Sequence, residues 1–474
     1  LHLSRGLGDV YKRQLLTMRL ITIKNLIIHT LLLGIFFIPF NSWSGIGFLG
    51  EYYRDSCFLF FSFAFVLVLF KRRINIPLKN LIFQFLILFI LWSILATLFN
   101  AHNMADYYFK QTSGFSRFIN QFGSLIIASI IIPLTFYNGF KWININKTFR
   151  LIRRVVLASL IIVLIYSIIE ILIVKFNMVN LKKPLLNLFD YFPFTEAKTD
   201  MRLRRISSVT FEPPALGTYL LSIAGWMFSY IFTEKKNFKY LPIVIVLFLS
   251  FMSGSRAAFF AIIIQFIIAS IIFLKNKNLT RNLYRVIIGF STASILTITY
   301  FSEPIYNYIK KEINSFKLDD STHSLSNKSR FGIQQAMFYV FLENPISGTG
   351  YGLQAFESRK KYPTWAKKNN WEFRLKYSNQ NDKRFPPGYN MYLRILSETG
   401  LVGFLFFGLM LLQIFLWCFN NLKSENSIIA FIILISMIGF SLNWLKMDSF
   451  RIYFFWLCLA LIWVVEQRKI SQNG

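Results

Sequence analysis

Histidine, cysteine and acid are scarce in this chain, and each scarcity removes a class of chemistry. The four histidines, His2, His29, His102 and His323, are scattered, and Cys57, Cys418 and Cys458 lie in or beside apolar runs. Neither a metal-ligand set nor a disulfide framework follows from such positions. No Asp-x-Asp pair is present to hold a metal with a sugar nucleotide. Ser347-Gly348-Thr349-Gly350-Tyr351-Gly352 lacks the Lys-Ser/Thr that a nucleotide-binding loop needs after its last glycine. Cytosolic nucleotide chemistry is therefore unsupported, and the stretch reads as a tight turn that brings backbone close to other groups. No internal repeat or low-complexity tract is evident.

What the chain has is apolar surface. Of 474 residues, 55% are hydrophobic, 18% are aromatic and 54 are Phe, which excludes an ordinary soluble domain. A helix needs about 20 apolar residues to cross a bilayer, and about 12 runs approach that length. They are Leu20–Phe40, Ser56–Phe70, Leu78–Phe99, Phe118–Phe136, Val155–Val174, Ala215–Phe232, Tyr240–Phe251, Ala257–Leu274, Arg285–Phe301, Leu401–Phe419, Ser427–Leu445 and Ser449–Glu466. The expected fold is an all-α polytopic membrane protein with a large external loop between the ninth and tenth runs. Nine runs fall within residues 18–301, the loop is 302–388, and 389–474 holds an amphipathic return segment and the last three runs. Leu1–Thr17 is polar and unpatterned and is expected to be a non-native extension, with the natural start near Met18.

The 52 Lys+Arg against 22 Asp+Glu do not indicate nucleic acid, because the basic clusters fall in every second connection. Lys71-Arg72-Arg73, the group Lys141 to Arg154, Lys235-Lys236-Lys239 and Lys275 to Arg285 alternate with the apolar runs. The positive-inside rule then makes both termini cytoplasmic and the long loop external; a long loop translocates regardless of its own charge.

Charge at the external edge is concentrated in a few stretches. Arg202, Arg204 and Arg205 precede Glu212-Pro213-Pro214 just before the sixth run. A guanidinium fork matches phosphate oxygens, so this stretch suits a diphosphate head group; snorkelling beside a span is the plainer reading. Ser253-Gly254-Ser255-Arg256 interrupts one apolar stretch from Leu241 to Leu274, and an arginine at such a break faces protein or water. In the loop, Arg330 and Arg384 stand among many solvated cations, and Tyr362, Trp365, Trp371, Phe373 and Tyr377 offer faces for sugar rings. Arg330 is expected to open a helix that Glu343-Asn344-Pro345 ends. The return segment adds Tyr389, Asn390, Arg394 and Glu398. Asn390 also suits a helix cap, and Arg394 with Glu398, four apart, suits a helical ion pair. Below so basic and aromatic a loop, these groups suit an anionic, sugar-bearing lipid.

In this order the motifs resemble the O-antigen polymerase and O-antigen ligase superfamily of bacterial envelope enzymes. The resemblance rests on Arg205 with Glu212-Pro213, Ser253-Gly254-Ser255-Arg256, Arg330 followed by Asn344-Pro345-Ile346-Ser347-Gly348-Thr349-Gly350, and Asn390 through Gly403. Ligases of the superfamily carry His-Asn where this chain has Tyr389-Asn390, and a phenol with a pKa of about 10 is a poor base near neutral pH. The resemblance therefore implies a polymerase of undecaprenyl-diphosphate-linked repeat units in the bacterial cytoplasmic membrane, with no metal and no cofactor. It implies catalytic roles for Arg205, Glu212 and Arg256, and substrate binding by Arg202, Arg204, Arg330, Arg384, Tyr389, Asn390, Arg394 and Glu398. Implied partners are the lipid-linked glycans, the bilayer, a flippase and a chain-length regulator. An O-antigen ligase and a lipid-linked glycan flippase stand as alternatives. So does a transferase using a polyprenyl-phosphate sugar, with Glu51 or Asp55 as its base, although Tyr52, Tyr53 and Arg54 beside them also suit an interfacial belt.

Overall fold

Nearly every apolar run in the described residues becomes a helix, because in lipid only a helix satisfies its own backbone. The computed structural model describes residues 23–71, 74–234, 237–274 and 324–473. The longer helices are α1 Ile23–Phe36, α2 Ser56–Phe70, α3 Leu81–Phe99, α4 Gly114–Phe140, α5 Ile145–Val174 and α6 Pro213–Thr233. They continue with α7 Leu241–Met252, α8 Arg256–Leu274, α9 Ser324–Glu343, α10 Met391–Asn421, α11 Ser427–Asn443 and α12 Tyr453–Asn473. Starts are set by polar residues at the apolar boundary. Asn80, Ser113 and Asn144 each accept a backbone N–H of the first turn at 2.9 to 3.2 Å, and Pro213-Pro214 occupy positions where no donor is needed.

Five of these helices, α3, α4, α5, α6 and α10, are long and apolar enough to cross a membrane, so the chain is a multi-pass membrane protein. That is fewer than the expected 12 or so. The difference is length: α7 has 12 residues and rises about 18 Å, short of a hydrocarbon core of roughly 30 Å. The Arg285–Phe301 run, the start of the long loop and the 1–17 extension lie outside the described residues. Within the bundle α10 packs most extensively on α3, α6 on α11 and α8, and α4 on α12.

The long loop is built, not splayed. Helix α9 begins at Ser324, so Arg330 sits in its second turn and does not open it. Ile333, Ala336 and Met337 of α9 pack with Tyr362, Ala366, Phe373 and Tyr377 into a small core of their own. Most of the aromatic faces expected to meet sugars are thus core, while Trp365 and Trp371 stay open. A two-stranded hairpin, Tyr108–Phe109 paired with Thr112–Ser113, anchors the far end of the loop. Lys110 at its tip is buried and donates from Nζ to the carbonyls of Lys376, Asn379 and Asp382 at 2.5 to 2.9 Å.

Helix α10 is interrupted at Gly400 (φ 65°, ψ −167°), a conformation open only to glycine. The break frees backbone groups that lipid cannot satisfy, and the glycine-rich turn supplies their partners. Thr349 N–H donates to Ser397 O at 3.0 Å, Gly350 N–H to Glu398 O at 2.9 Å, and Leu401 N–H to Pro345 O at 2.8 Å. Trp92 of α3 donates from Nε1 to Thr399 O at 2.8 Å. A Cβ at Gly348 would lie 2.6 Å from Thr399 N, so the turn approaches this closely only as glycine. Gly400→Ala is expected to destabilise the protein by at least about 1–3 kcal/mol from backbone strain alone. An unchanged Tm in detergent would show that the break is not required.

Candidate functional site

The motif-bearing residues gather at one end of the bundle, where the starts of α4, α6, α8 and α10 meet the long loop. The segment before α6 is fixed from α5. Glu170, fully buried, accepts Ser207 N–H at 3.1 Å and Ser208 N–H at 2.7 Å. Thr210 Oγ1 donates to Ser207 O at 2.6 Å and lies 2.9 Å from Glu212 O, its second acceptor. Glu212 then becomes the residue that caps α6 in sequence, with its carboxyl left out of the cap. Upstream, Arg205 bridges Asp200 through the backbone. Its Cγ lies 3.1 Å from where a Cβ of Gly254 would stand, so the glycine of the Ser253–Arg256 turn makes room for the Arg205 stem. Ser255 in turn lies against Gly217 of α6. Arg205 and the Ser253–Arg256 turn therefore meet beside the first turns of α6, the helix that Glu212 precedes. Arg202 and Arg204 are exposed on the preceding turn.

Arg330 and Lys446 complete this junction electrostatically. The Arg330 guanidinium stands 5.4 Å from the Tyr389 ring centroid, and Tyr389 hydroxyl is 2.7 Å from that of Tyr377. Lys446, after α11, has its Nζ buried without a hydrogen-bond partner among the described residues. Glu212 is exposed at the rim, yet burial of its carboxyl outweighs the opposing pull of Arg330 and Lys446 and raises its pKa above the usual carboxylate range. Burial, with Arg330 adding to it and Glu212 opposing it, brings Lys446 down to about 8. Burial also raises the Tyr389 phenol. A carboxyl shifted up and an amine shifted down beside a guanidinium group are the kind of pair that can hold an anion and exchange a proton.

A second cluster centres on Arg394, whose side chain is only 11% exposed, and Glu398, 2% exposed. Their pair, 3.1 Å from Nε to Oε1, is the helical ion pair that the spacing suits, and it is buried. Arg394 also donates to Asp448 O at 2.7 Å and to Gln121 Oε1 at 2.7 Å, and Gln121 donates to Glu51. Arg451 lies 3.8 Å from Glu51 and 3.6 Å from Asp55, which accepts the Tyr453 hydroxyl at 2.7 Å. Burial raises Glu51, but Arg451, Arg117 and Arg394 more than reverse it and hold the carboxyl below its usual range. The cleft here, lined by Glu51, Gln121, Ser124, Tyr351, Arg394 and Arg451, has about 240 Å³ including its open mouth. That is under the roughly 300–1,000 Å³ of ligand pockets, so this cluster reads as scaffold.

The structure thus brings Arg205, Glu212, Arg256, Arg330 and Tyr389 to one end, and Arg394 and Glu398 to the adjoining network. Asn390 caps α10, accepting Leu393 N–H at 3.1 Å. Arg384 joins neither group: it is 80% exposed and paired with Asp382 at 2.8 Å. Sequence reasoning missed Lys446, Asp448 and Arg451, three charges in the short connection between α11 and α12. It also missed Arg117, Gln121 and Glu170; the last is a lone acid in an apolar run, which was a usable signal.

Residues 241–408, about a third of the chain, match the family model described as O-antigen ligase. The chain resembles the O-antigen ligase and polymerase superfamily there. The match bears out the expected resemblance and supports a glycan-processing role in surface glycan assembly, on lipid-linked glycans in a membrane. It takes in Ser253–Arg256, Arg330 and the break at Gly400, and leaves out Arg205, Glu212, Lys446 and Arg451. No curated protein matches the chain.

Arg394→Ala would strand Glu398 and Asp448 in a buried network, at an expected cost of about 3–5 kcal/mol. Arg384→Ala removes an exposed pair and is expected to change stability by no more than about 1 kcal/mol. Thermal melts of both variants in detergent check the contrast, and equal shifts would refute it.

Proposed function

We propose that this chain is a polysaccharide polymerase. It joins oligosaccharide repeat units carried on undecaprenyl diphosphate, on the outer face of the cytoplasmic membrane, with both chain termini cytoplasmic. The observation that supports this reading is the setting of Glu212, which feels Arg330 and Lys446 at the start of α6, the helix on which the Ser253–Arg256 turn packs with Arg205 against its glycine. In the reaction an acceptor sugar hydroxyl attacks the anomeric carbon of the growing glycan. The anomeric carbon–oxygen bond breaks and its electron pair leaves with the lipid diphosphate. Glu212 takes the hydroxyl proton. Arg205 and Arg256 stabilise the charge on the departing diphosphate, since fixed cations cost no reorganisation at the moment of reaction. Arg330 and Lys446 hold the second carrier. Guanidinium groups supply the counter-charge that a metal ion supplies in other transferases. Arg394 and Glu398 support the site through the network around α10.

Ligase activity is the second reading, favoured by the description of the matching family. Tyr389 weighs against it. It occupies the position of the ligase histidine, but burial raises its phenol and its hydroxyl is held by Tyr377, so it is not a base near neutral pH.

A strain lacking the protein, resolved by polysaccharide chain length, separates the readings. Single repeat units on the surface acceptor without a ladder mean polymerase. Full-length polymer stranded on lipid carrier means ligase, and Arg205→Ala or Glu212→Gln with wild-type ladders would remove the assigned site. In vitro the rate is expected to be bell-shaped in pH. It rises as Glu212 loses its proton, above the ordinary carboxylate range, and falls as Lys446 loses its charge near 8. Lys446→Arg keeps the charge and is expected to move the falling limb upward; a limb that stays in place excludes Lys446 as its source.

A further inference from the structure

We infer that Glu170 is a positioning residue whose two side-chain oxygens set the geometry from which Arg205 and Glu212 reach the site. The inference rests on the polymerase reading for the role of those two residues, but its structural half stands alone. Glu170 lies in α5, among apolar residues that give an ionisable group no reason to be there, and it is fully buried. Such a carboxyl group is tolerated only when its lone pairs are filled. Here they are filled by one short piece of backbone: Oε1 by Ser207 N–H at 3.1 Å, Oε2 by Ser208 N–H at 2.7 Å. The Ser207 hydroxyl, 3.5 Å from Oε1, belongs to the same piece of chain, so what Glu170 holds is this loop.

That loop is bent in a way it would not choose unaided. Ser208 has φ 52°, and Arg204 φ 51°, in the left-handed region that disfavours residues with a Cβ. Ser208 is kept there from both ends, by its N–H on Glu170 and by its hydroxyl donating to Val163 O at 3.0 Å, again on α5. The constraint then passes outward in two directions. Ser207 O accepts the Thr210 hydroxyl, whose oxygen also sits at Glu212 O, fixing the start of α6. Two residues upstream, Arg205 leaves the same bend toward Gly254. One buried oxygen pair thereby fixes the separation of a cation and a carboxylate that the reaction needs on opposite sides of the bond being broken. A leucine at 170 would suit the membrane better and would leave the bend without its two donors satisfied.

The test is hydrogen exchange on the purified full-length protein in detergent, with the polysaccharide ladder of complemented cells read alongside. Glu170→Ala is expected to speed exchange at Ser207 and Ser208 about tenfold or more while α5, α6 and α10 keep their protection. The ladder is expected to be lost at unchanged protein level. Glu170→Gln, whose amide oxygen still accepts one N–H, is expected to fall between. Unchanged exchange at 207–208, or loss of protection throughout the protein, overturns the inference. So does a loosened loop with a full ladder in a background where Arg205→Ala abolishes it. If Arg205→Ala and Glu212→Ala both leave the ladder intact, the polymerase site is what fails, and the exchange result alone decides whether Glu170 positions the bend.

Discussion

Arg394 is the constraint around which this end of the molecule is arranged. It is a permanent cation in the first turn of a helix that goes on to be apolar for a further twenty residues or so, and it is almost entirely enclosed. A guanidinium in that position needs several acceptors at fixed angles, and each comes from a different element: Glu398 from its own helix, Gln121 from α4, Asp448 from the connection between α11 and α12. Meeting that need draws two separated parts of the chain onto α10. The same network reaches Glu51, Asp55 and Arg451, so the first connection is brought in as well. Four segments distant in sequence are thus held together by charge in a medium where stray charge is costly.

The break in α10 follows the same logic with backbone in place of side chains. Glu398 completes the Arg394 pair only two residues before Gly400, and the interruption lets the glycine-rich turn come close enough to donate to the Ser397 and Glu398 carbonyls. Turn and helix therefore exist for each other: neither the positive φ at Gly348 nor that at Gly400 is explained by its own segment alone. The described part of the long loop is tied down at this seam and again by Lys110, and its small core takes Tyr362, Phe373 and Tyr377 out of solvent.

Local pattern made the helices legible, and it placed the motif-bearing residues in order along the chain. Ser56–Phe70 was readable to the residue, because apolar composition and turn residues agree there. What the sequence withheld was distance. Arg394 and Glu398, four apart, look like any helical ion pair, and only tertiary contact from Gln121 and Asp448 turns them into a buried hub. Tyr362, Phe373 and Tyr377 look like a stacking surface until α9 is seen to cover them. Helix length was the other loss, since an apolar run marks where a helix lies but not how many of its residues remain helical near a polar end.

The connection between α11 and α12 links the two charge clusters. Its first charge, Lys446, faces Glu212 and Arg330; its second, Asp448, accepts Gly388 N–H at 2.7 Å and supports Arg394; its third, Arg451, pairs with Asp55 and Glu51. A segment of six residues cannot shift at one end without straining the other, so the geometry around Lys446 is referred to the Arg394 network. With the rigid ion pairs to one side, the proposed site keeps a carboxyl that holds its proton more tightly than usual, Glu212, and an amine that holds its own less tightly, Lys446. Separation of that kind follows from physics: a fully paired charge is stable and inert, and a site that must release a proton or an anion needs charges left incompletely paired beside ones that are not.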